Sequence, residues 1–301
     1  MNMKVDLCGV TLNNPVMTAS GTFGSGAEYA EFVDLNKLGA VVTKGVANVP
    51  WPGNPTPRVA EVYGGMLNAV GLQNPGIDLL WSVTFPFLKQ FDTKIMVNVC
   101  GHSTEEYIEV VERLRDQPVD LLEINISCPN VKEGGIAFGQ DPKAVEAITK
   151  EMKKHAAQPV IMKLSPNVTD ITEMARAAEA GGADGLSLIN TITGMKIDIN
   201  RQKFVLANKT GGMSGPAIHP VAVRMVYQTA QAVRLPIVGM GGIMNAEDAI
   251  EMILAGATAV SVGTANFTNP HVTEEIVAGI RDYMERYQVA DIKDLVGAVH
   301  E

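Results

Sequence analysis

The sequence is poor in cysteine and lacks the spacing that most cysteine chemistry requires. Cys8, Cys100 and Cys128 are the three cysteines of the 301-residue chain, and no CxxC pair occurs. Three cysteines are too few for a disulfide framework, or for an iron–sulfur cluster with four cysteine ligands from this chain. We therefore expect a protein with reduced thiols, as is usual in the cytoplasm.

Basic and aromatic residues are also scarce. Lys and Arg number 24 against 33 Asp and Glu, so the net charge is -9, and aromatic residues make up 5% of the chain. Nucleic-acid binding favours a basic face and aromatic rings on which bases stack. The composition therefore argues against a nucleic-acid partner.

Long apolar runs are missing as well. No run approaches the roughly twenty apolar residues that span a bilayer. The start of the chain, MNMKVDLCGV, has no apolar stretch after a basic one, so no signal peptide is expected. We expect a cytoplasmic protein with no membrane partner.

Metal-binding patterns are not evident either. The five histidines show no i,i+4 pairing and no HExxH motif, and they stand at positions 102, 155, 219, 271 and 300. Zinc enzymes commonly place their histidines at such short helical spacings. No metal site is predicted.

The sequence does contain a regular alternation of short apolar runs with helix-like segments. Near-continuous apolar strands that alternate with helices predict a parallel sheet covered on both faces. Eight such pairs predict an α/β fold of the (β/α)8-barrel type, which would form a single domain over residues 1–301. The alternative is a doubly wound open sheet. The predicted strands are 15–20, 40–45, 94–99, 121–126, 159–164, 184–189, 236–241 and 258–263, and the predicted helices are 27–38, 77–91, 104–116, 142–156, 170–181, 219–233, 245–255 and 273–287.

Three of the segments that follow strands are long, namely 46–76, 127–141 and 190–218. In a (β/α)8 barrel these loops lie at the carboxyl-terminal face, where active sites are built. Long loops in a compact domain are more often functional than idle. We therefore expect the working face of the protein at this end of the barrel.

Polar residues or glycines end every predicted strand. Singly, an asparagine there can cap a loop and a lysine can extend to solvent, but several amides and two lysines at one barrel mouth indicate a site. The residues are Ser20, Lys44, Asn98, Asn125 with Cys128, Lys163, Asn190 with Thr191, Gly241 with Gly242, and Gly263 with Thr264.

Glycine-rich segments end the last two predicted strands, GMGGI (239–243) and VGTAN (262–266). Such glycines can serve a tight turn, or can let backbone N–H groups approach a phosphate. The dinucleotide pattern GxGxxG is not met, because Met244 stands where the third glycine is required. The segments favour a mononucleotide-like cofactor or substrate.

The lysines and Cys128 leave several chemistries open. Lys163 should meet an anion, because a buried cation without a partner is costly, and either Lys44 or Lys163 could instead form a Schiff base, as in aldolase barrels. Cys128 could be a small buried hydrophobe, a nucleophile or a general base. Its place at a strand end, before Pro129 and the glycines at 134–135, favours catalysis.

Seven motifs together resemble the dihydroorotate dehydrogenases, in order from residue 5 to about residue 285. The sequence is most similar to class 1B, the NAD-linked catalytic subunit, and CPNVKEGG and GMKIDI are the most specific parts. The motifs are TASGTFGSG (18–26), VTKGV (42–46), NAVGLQNPG (68–76), NISCPNVKEGG (125–135), INTITGMKIDI (189–199), GGMSGPAIHPVAVRMVYQ (211–228) and GMGGI (239–243).

The resemblance implies a (β/α)8 barrel that binds FMN and oxidises (S)-dihydroorotate to orotate in pyrimidine biosynthesis. It implies that Cys128 is the base that removes the C5 proton, while hydride passes from C6 to flavin N5. The membrane-associated, quinone-linked class has serine at this position and an N-terminal extension, and this sequence has neither.

The resemblance also implies the site residues. Lys163 would stabilise negative charge on the flavin, Asn130 is a further candidate, and His219 stands where relatives often have lysine. Implied FMN contacts are Ser20, Lys44, Gly45, Asn98, Asn125, Lys163, Ile189, Gly215, Gly241, Gly242, Gly263 and Thr264. Implied substrate contacts are Lys44, Asn68, Ala69, Val70, Gly71, Leu72, Asn125, Asn190 and Thr191.

An electron-transfer partner is implied by the same resemblance. Class 1B relatives pass electrons to a second subunit that carries FAD and a [2Fe–2S] cluster and reacts with NAD, and two catalytic chains form the dimer at the centre of a heterotetramer. The rival hypotheses are a fumarate-linked class 1A enzyme, a dihydropyrimidine dehydrogenase-like flavoprotein, a Schiff-base aldolase barrel, and a binding barrel without catalysis.

Overall fold

The computed structural model describes residues 1–127 and 136–300 of the chain. The strands are β1 (Val5–Leu7), β2 (Val10–Leu12), β3 (Val16–Thr18), β4 (Ala40–Val42), β5 (Val59–Val62), β6 (Gly65–Asn68), β7 (Lys94–Val99), β8 (Leu121–Asn125), β9 (Val160–Lys163), β10 (Gly185–Leu188), β11 (Ile192–Met195), β12 (Ile197–Asp198), β13 (Lys203–Phe204), β14 (Thr210–Ser214), β15 (Ile237–Met240) and β16 (Ala259–Val262). The α-helices are α1 (Phe85–Leu88), α2 (Thr104–Leu114), α3 (Ile136–Gly139), α4 (Pro142–His155), α5 (Ile171–Ala180), α6 (His219–Ala232), α7 (Ala246–Leu254), α8 (Ala265–Thr268) and α9 (Val272–Arg286). Three 3-10 helices span Leu35–Lys37, Pro216–Ile218 and Ile292–Leu295, and a π-helix spans Leu80–Thr84.

Eight parallel strands close into a barrel in the order β3, β4, β7, β8, β9, β10, β15 and β16. The last strand pairs with the first, with Val260 opposite Val16 and Val262 opposite Thr18. The predicted (β/α)8 barrel is therefore confirmed, and the open-sheet alternative is wrong because no barrel strand is left as an edge. Every predicted barrel strand is present, most of them a residue or two shorter at their ends.

The burial of strands and helices follows their hydrophobic patterns. All four residues of β16 and all three of β3 are buried, as expected for strands covered on both faces. Helix α2 instead buries a single stripe, formed by Tyr107, Val110, Val111 and Leu114. These positions, i, i+3, i+4 and i+7, follow the helical period that turns one face toward the barrel.

Two predicted helix starts are confirmed by their capping hydrogen bonds. The side chain of Asp170 accepts from the backbone N–H of Thr172 at 2.8 Å. Asn245 accepts from the N–H of Asp248 at 3.0 Å. Both satisfy N–H groups that a helix leaves without internal partners in its first turn.

The helix predicted at 27–38 is wrong. The segment forms turns and the short 3-10 helix at its end. Gly24 and Gly26, just before it, adopt positive φ angles of 57° and 103°, and Asp34 accepts from the N–H of Asn36. Such local side-chain bonds compete with a regular helix.

The helix predicted at 77–91 is also irregular. It is present as the π-helix at Leu80–Thr84 followed by α1. Pro86 stands at the start of α1. Because proline has no N–H to donate to the preceding turn, the regular hydrogen-bond pattern is not continuous there.

Two of the long predicted loops build a small sheet that the sequence patterns did not reveal. Strands β11, β14, β6 and β5 form it in that order, all antiparallel. Gly212 of the loop 190–218 lies opposite Asn68 of the loop 46–76. Most of the third loop, 127–141, lies outside the described residues, and Cys128 and Asn130 lie there too.

Among the described residues, no helix is both long enough and apolar enough to cross a membrane.

The opposite end of the barrel carries the β1–β2 hairpin, with Cys8 in its turn. A Cβ atom at Gly185, the first residue of β10, would lie 2.7 Å from the Cys8 sulfur, so the thiol packs directly on the barrel strand. Burial, together with the nearby Asp184 and Asp6 carboxylates, raises the pKa of this thiol from 9.0 to about 12, and Lys153 opposes the shift. The thiol is therefore held in its neutral form.

Replacing Cys8 tests this environment through the pH dependence of stability. The unfolded thiol ionises near pH 9 and the folded one near pH 12, so the stabilisation is complete below pH 9 and is lost as the pH rises toward 12. We expect the free energy of unfolding of the parent chain to fall relative to Cys8→Ala by at most about 1.4 kcal/mol per pH unit above pH 9. Urea unfolding of the parent chain and of Cys8→Ala between pH 7.5 and 10.5 measures this difference in unfolding free energy. A difference that does not change with pH would contradict the raised pKa of Cys8.

Candidate active site

One cavity lies at the carboxyl-terminal end of the barrel, between the ends of the barrel strands and the small sheet of β5, β6, β11 and β14. Residues predicted from different strand ends and loops meet in its wall. The predicted site residues that line it are Ser20, Lys44, Asn68, Val70, Gly71, Leu72, Asn125, Lys163, Ile189, Asn190, Thr191, Gly215, Gly241, Gly242, Gly263 and Thr264.

Three predicted residues lie behind that wall rather than in it. Asn98 and Ala69 are completely buried. Gly45 packs on Asn98, because a Cβ atom at Gly45 would lie 2.7 Å from the Asn98 side-chain oxygen. Their contacts with a ligand stay predictions, and their visible role is to support the lining residues.

The glycines at the ends of β15 and β16 form a wall made largely of backbone. Gly241 and Gly242 have φ angles of 128° and 70°, and Gly215 on the facing loop has 108°. A Cβ atom at Gly242 would lie 2.7 Å from the Cβ of His219 and 2.8 Å from the Gly215 oxygen. Only glycine fits this close approach, which leaves peptide groups facing the cavity as phosphate sites require.

A hydroxyl pair joins the two sides of this wall. Thr264, which follows β16, donates from its hydroxyl to Ser214 Oγ of β14 at 2.7 Å. Ser214 lines the cavity beside Gly215 but was not predicted as a site residue. The hydroxyls and the glycine backbone together make a donor set that fits a phosphate group.

His219 lies behind the glycine wall at the start of α6. Its Nδ1 is 2.9 Å from the Gly241 carbonyl oxygen, and its Nε2 is 3.1 Å from Glu251 Oε2 and 3.9 Å from Asp248 Oδ1. The possible ligand atoms of these three side chains lie within 4.8 Å of one another, close enough to hold a metal ion. The hydrogen bonds already account for the cluster, which connects the glycine turn to α7.

Lys163 provides a buried cation at the base of the cavity. Its side chain is 6% exposed, and its Nζ lies 3.4 Å from Oε2 of Glu123, whose side chain is 2% exposed. The anion expected for this lysine is therefore supplied by the chain itself. Glu123 was missed by the sequence interpretation, although a glutamate within the apolar strand LLEIN was a visible signal.

A chain of hydrogen bonds leads from Glu123 to the cavity wall. The Glu123 carboxylate accepts from Asn98 Nδ2 at 2.5 Å, and Asn98 Oδ1 accepts from Asn125 Nδ2 at 3.3 Å. Asn125 Oδ1 accepts from the Ser127 hydroxyl at 3.1 Å, whose oxygen accepts from Asn190 Nδ2 at 2.8 Å. Each amide thereby has a defined orientation, and the last described residue before Cys128 is fixed to the cavity wall.

The backbone at the end of β8 is also anchored, by a hydrogen bond from helix α2. The Tyr107 hydroxyl, fully buried on α2, donates to the Asn125 carbonyl oxygen at 2.6 Å. The side chain and the main chain of Asn125 are thus both anchored.

The remaining lining is largely apolar and was not predicted. Most of it lies inside or directly beside the quoted motifs, which therefore carried the signal for it, and two residues come from the small sheet. These residues are Ala19, Gly21, Thr22, Val59, Met66, Ile218, Met240, Ile243, Met244, Ser261, Ala265 and Phe267.

The cavity therefore combines a backbone wall suited to phosphate, an amide-rich floor with a cation, and apolar sides. Such a combination can hold a planar heterocycle by its polar edge and a phosphate group at a distance from it. A closed parallel barrel with this cavity at its carboxyl-terminal face has the architecture of the (β/α)8-barrel enzymes.

Comparison with known proteins identifies the family. The family described as dihydroorotate dehydrogenase matches residues 2–284. A protein of Lachnoclostridium phytofermentans named dihydroorotate dehydrogenase B (NAD(+)), catalytic subunit, is 70% identical over 99% of this chain and 100% of its own. A protein of the same name from Alkaliphilus metalliredigens is 64% identical over 99% of both chains. The chain belongs to the dihydroorotate dehydrogenase family.

A solved structure agrees with the fold. The dihydroorotate dehydrogenase of Eimeria tenella, in complex with ferulenol, superimposes with a TM-score of 0.82 at 22% identity, over 99% of this chain and 88% of its own. The predicted resemblance to the NAD-linked class is confirmed by the names of the relatives, and so is the expectation of an oxidoreductase that acts on CH–CH donors. The family is generally FMN-dependent.

The glycine wall generates a prediction about the protein without ligand. Gly242→Ala should lower the free energy of unfolding by about 1–3 kcal/mol, because the new Cβ meets His219 and the Gly215 backbone at a positive φ angle. Gly263→Ala is the matched control, since its Cβ would meet Ala19 at an ordinary 3.5 Å. Urea unfolding compares the two variants, and an equal loss of unfolding free energy in both would contradict a steric cost specific to Gly242.

Proposed function

We propose that the chain is the catalytic subunit of an NAD-linked dihydroorotate dehydrogenase, which oxidises (S)-dihydroorotate to orotate in pyrimidine biosynthesis with FMN as cofactor. The main support for this proposal is the lining of a single cavity. It combines a buried lysine, an oriented chain of amides and a backbone wall suited to phosphate. Relatives with 70% and 64% identity, named as such catalytic subunits, support it.

The residues divide between the two ends of the cofactor. The glycine turns and Thr264 would hold the phosphate, because they offer peptide groups and a hydroxyl without intervening side chains. Lys163 and Asn125 would hold the polar edge of the ring from the base of the cavity. Bound FMN would supply the hydride acceptor, which no side chain can provide.

The amides and Lys44 would hold the substrate. Asn68 and Asn190 line the cavity from different segments, and Thr191 lies beside Asn190. A dihydropyrimidine ring presents alternating N–H donors and carbonyl acceptors, which asparagine side chains match with both of their polar groups. Lys44 lines the same cavity and would pair with the substrate carboxylate.

Cys128 would remove the C5 proton. It follows Ser127, which is fully buried and bonded to both Asn125 and Asn190. The chain therefore enters the catalytic segment from a point fixed to the substrate-binding amides. A thiol with an unperturbed pKa near 8.5 can be ionised near neutral pH by its surroundings, so it can act as a base there.

Removing this thiol tests the assignment. Cys128→Ala should slow the reduction of bound FMN by dihydroorotate by about 10²-fold or more at neutral pH, the usual scale for a lost general base. Single-turnover loss of flavin absorbance measures the rate. Cys8→Ala is the control, because Cys8 lies between β1 and β2 at the opposite end of the barrel. An unchanged rate in Cys128→Ala would remove the residue from the mechanism.

The cofactor itself separates the proposal from its rivals. Purified protein should be yellow, or should become so with added FMN. A preparation that takes up no FMN but is trapped by borohydride with a carbonyl substrate would support the aldolase alternative.

A partner subunit is part of the proposal. The relatives are named catalytic subunits, which implies a second subunit beside each of them. We infer that this partner carries FAD and a [2Fe–2S] cluster. Two partner subunits would bind a homodimer of this chain and form a heterotetramer in the cytoplasm. Within each catalytic chain, residues 1–301 would form one domain.

The electron acceptor tests that partner. The chain alone, with FMN and dihydroorotate, should reduce NAD negligibly, and addition of the partner subunit should restore NAD reduction in steady-state absorbance assays. Rapid NAD reduction by the chain alone would contradict the partner, and rapid turnover with fumarate would favour class 1A.

A further inference from the structure

We propose that Glu123 is a positioning residue that neutralises Lys163 and so sets the reduction potential of the bound flavin. The inference rests on the proposed function, because it requires FMN in the cavity that Lys163 lines. Glu123 itself is not among the residues that line this cavity. It would act through Lys163 and Asn98, with no contact to substrate or cofactor.

The surroundings of Glu123 are those of a buried negative charge. Its Oε2 accepts from Lys163 Nζ at 3.4 Å and from Asn98 Nδ2 at 2.5 Å, and its Oε1 accepts from the Ser187 hydroxyl at 2.7 Å. All four residues are buried. An isolated buried charge is costly, and an ion pair with further hydrogen bonds is the arrangement that offsets the cost.

The carboxylate also determines the direction of the amide chain. A carboxylate only accepts hydrogen bonds, so Asn98 must turn its NH2 group toward Glu123. Its oxygen then faces Asn125, whose NH2 group donates to it, which leaves the Asn125 oxygen for Ser127. The orientation of the amide that lines the cavity follows from a charge two residues earlier on the same strand.

The charge balance should affect the flavin directly. With Glu123 in place, the Lys163–Glu123 pair is neutral as a whole, and Lys163 attracts negative charge on the flavin only moderately. Without the carboxylate charge, the ammonium would be uncompensated in a dry environment. Negative charge on the flavin would then be favoured, so the reduction potential would rise.

Glu123→Gln removes the charge while keeping the shape. The glutamine oxygen can accept from Asn98 and Lys163, and its NH2 group can donate to Ser187, whose hydroxyl rotates freely. The amide chain then keeps its direction. Ser187→Ala is the matched control, since it removes a hydrogen bond from the same carboxylate and leaves its charge.

The experiment compares FMN-loaded wild type, Glu123→Gln and Ser187→Ala by two readouts that do not depend on turnover. The first is the midpoint potential of the flavin from dye-coupled titration. The second is the dissociation constant for sulfite, an anion that adds to N5 of oxidised flavins and places negative charge on the ring. An uncompensated unit charge within about 10 Å, at an effective dielectric constant near 20, should tighten sulfite binding on the order of tenfold.

In Glu123→Gln we expect a raised midpoint potential and tighter sulfite binding. In Ser187→Ala we expect an unchanged midpoint potential and a sulfite dissociation constant within about twofold of the wild-type value. Equal values in wild type and Glu123→Gln, or the same shift in both variants, would overturn the role of Glu123. A Glu123→Gln chain that cannot fold would also overturn it, since the carboxylate would then serve barrel stability. Wild type that takes up no FMN would instead overturn the proposed function, and this inference with it.

Discussion

Closure of the barrel brings the strand ends, the cavity and the buried ion pair into one place. When β16 pairs with β3, all eight parallel strands point their carboxyl ends to the same opening. Residues as distant in sequence as Ser20 and Thr264 then line one cavity. The same closure leaves no barrel edge to pair with another chain, and it excludes water from the strand interior where Glu123 and Lys163 form their ion pair.

The polar groups beneath the cavity behave as one unit because each restricts the next. Glu123 orients Asn98, Asn98 orients Asn125, and Asn125 holds Ser127, which Asn190 also contacts. A buried network of this kind is favourable only when every member has its partners. Specificity for a heterocyclic ring and electrostatic control of a cofactor can therefore arise from the same few side chains.

Much of the architecture could be predicted because strong local patterns agreed with the tertiary structure. The eight barrel strands are short apolar runs, and the starts of α5 and α7 carry their own capping residues, Asp170 and Asn245. The prediction was wrong at 27–38, where apolar spacing was outweighed by glycine turns and local hydrogen bonds. The small antiparallel sheet was not predicted, because its strands come from two loops that are distant in sequence and are defined only by their pairing with each other.

The alternation of strands and helices, the polar strand ends and the family motifs can all be read from the amino-acid sequence, because they depend on local residue types and their order. The pairing of Lys163 with Glu123, the position of Asn98 behind the cavity wall, and the contacts of His219 with Gly241 and Glu251 become visible only in the folded chain. The reason is physical: burial, hydrogen-bond direction and charge compensation are properties of groups brought together across the barrel, and no local pattern carries them.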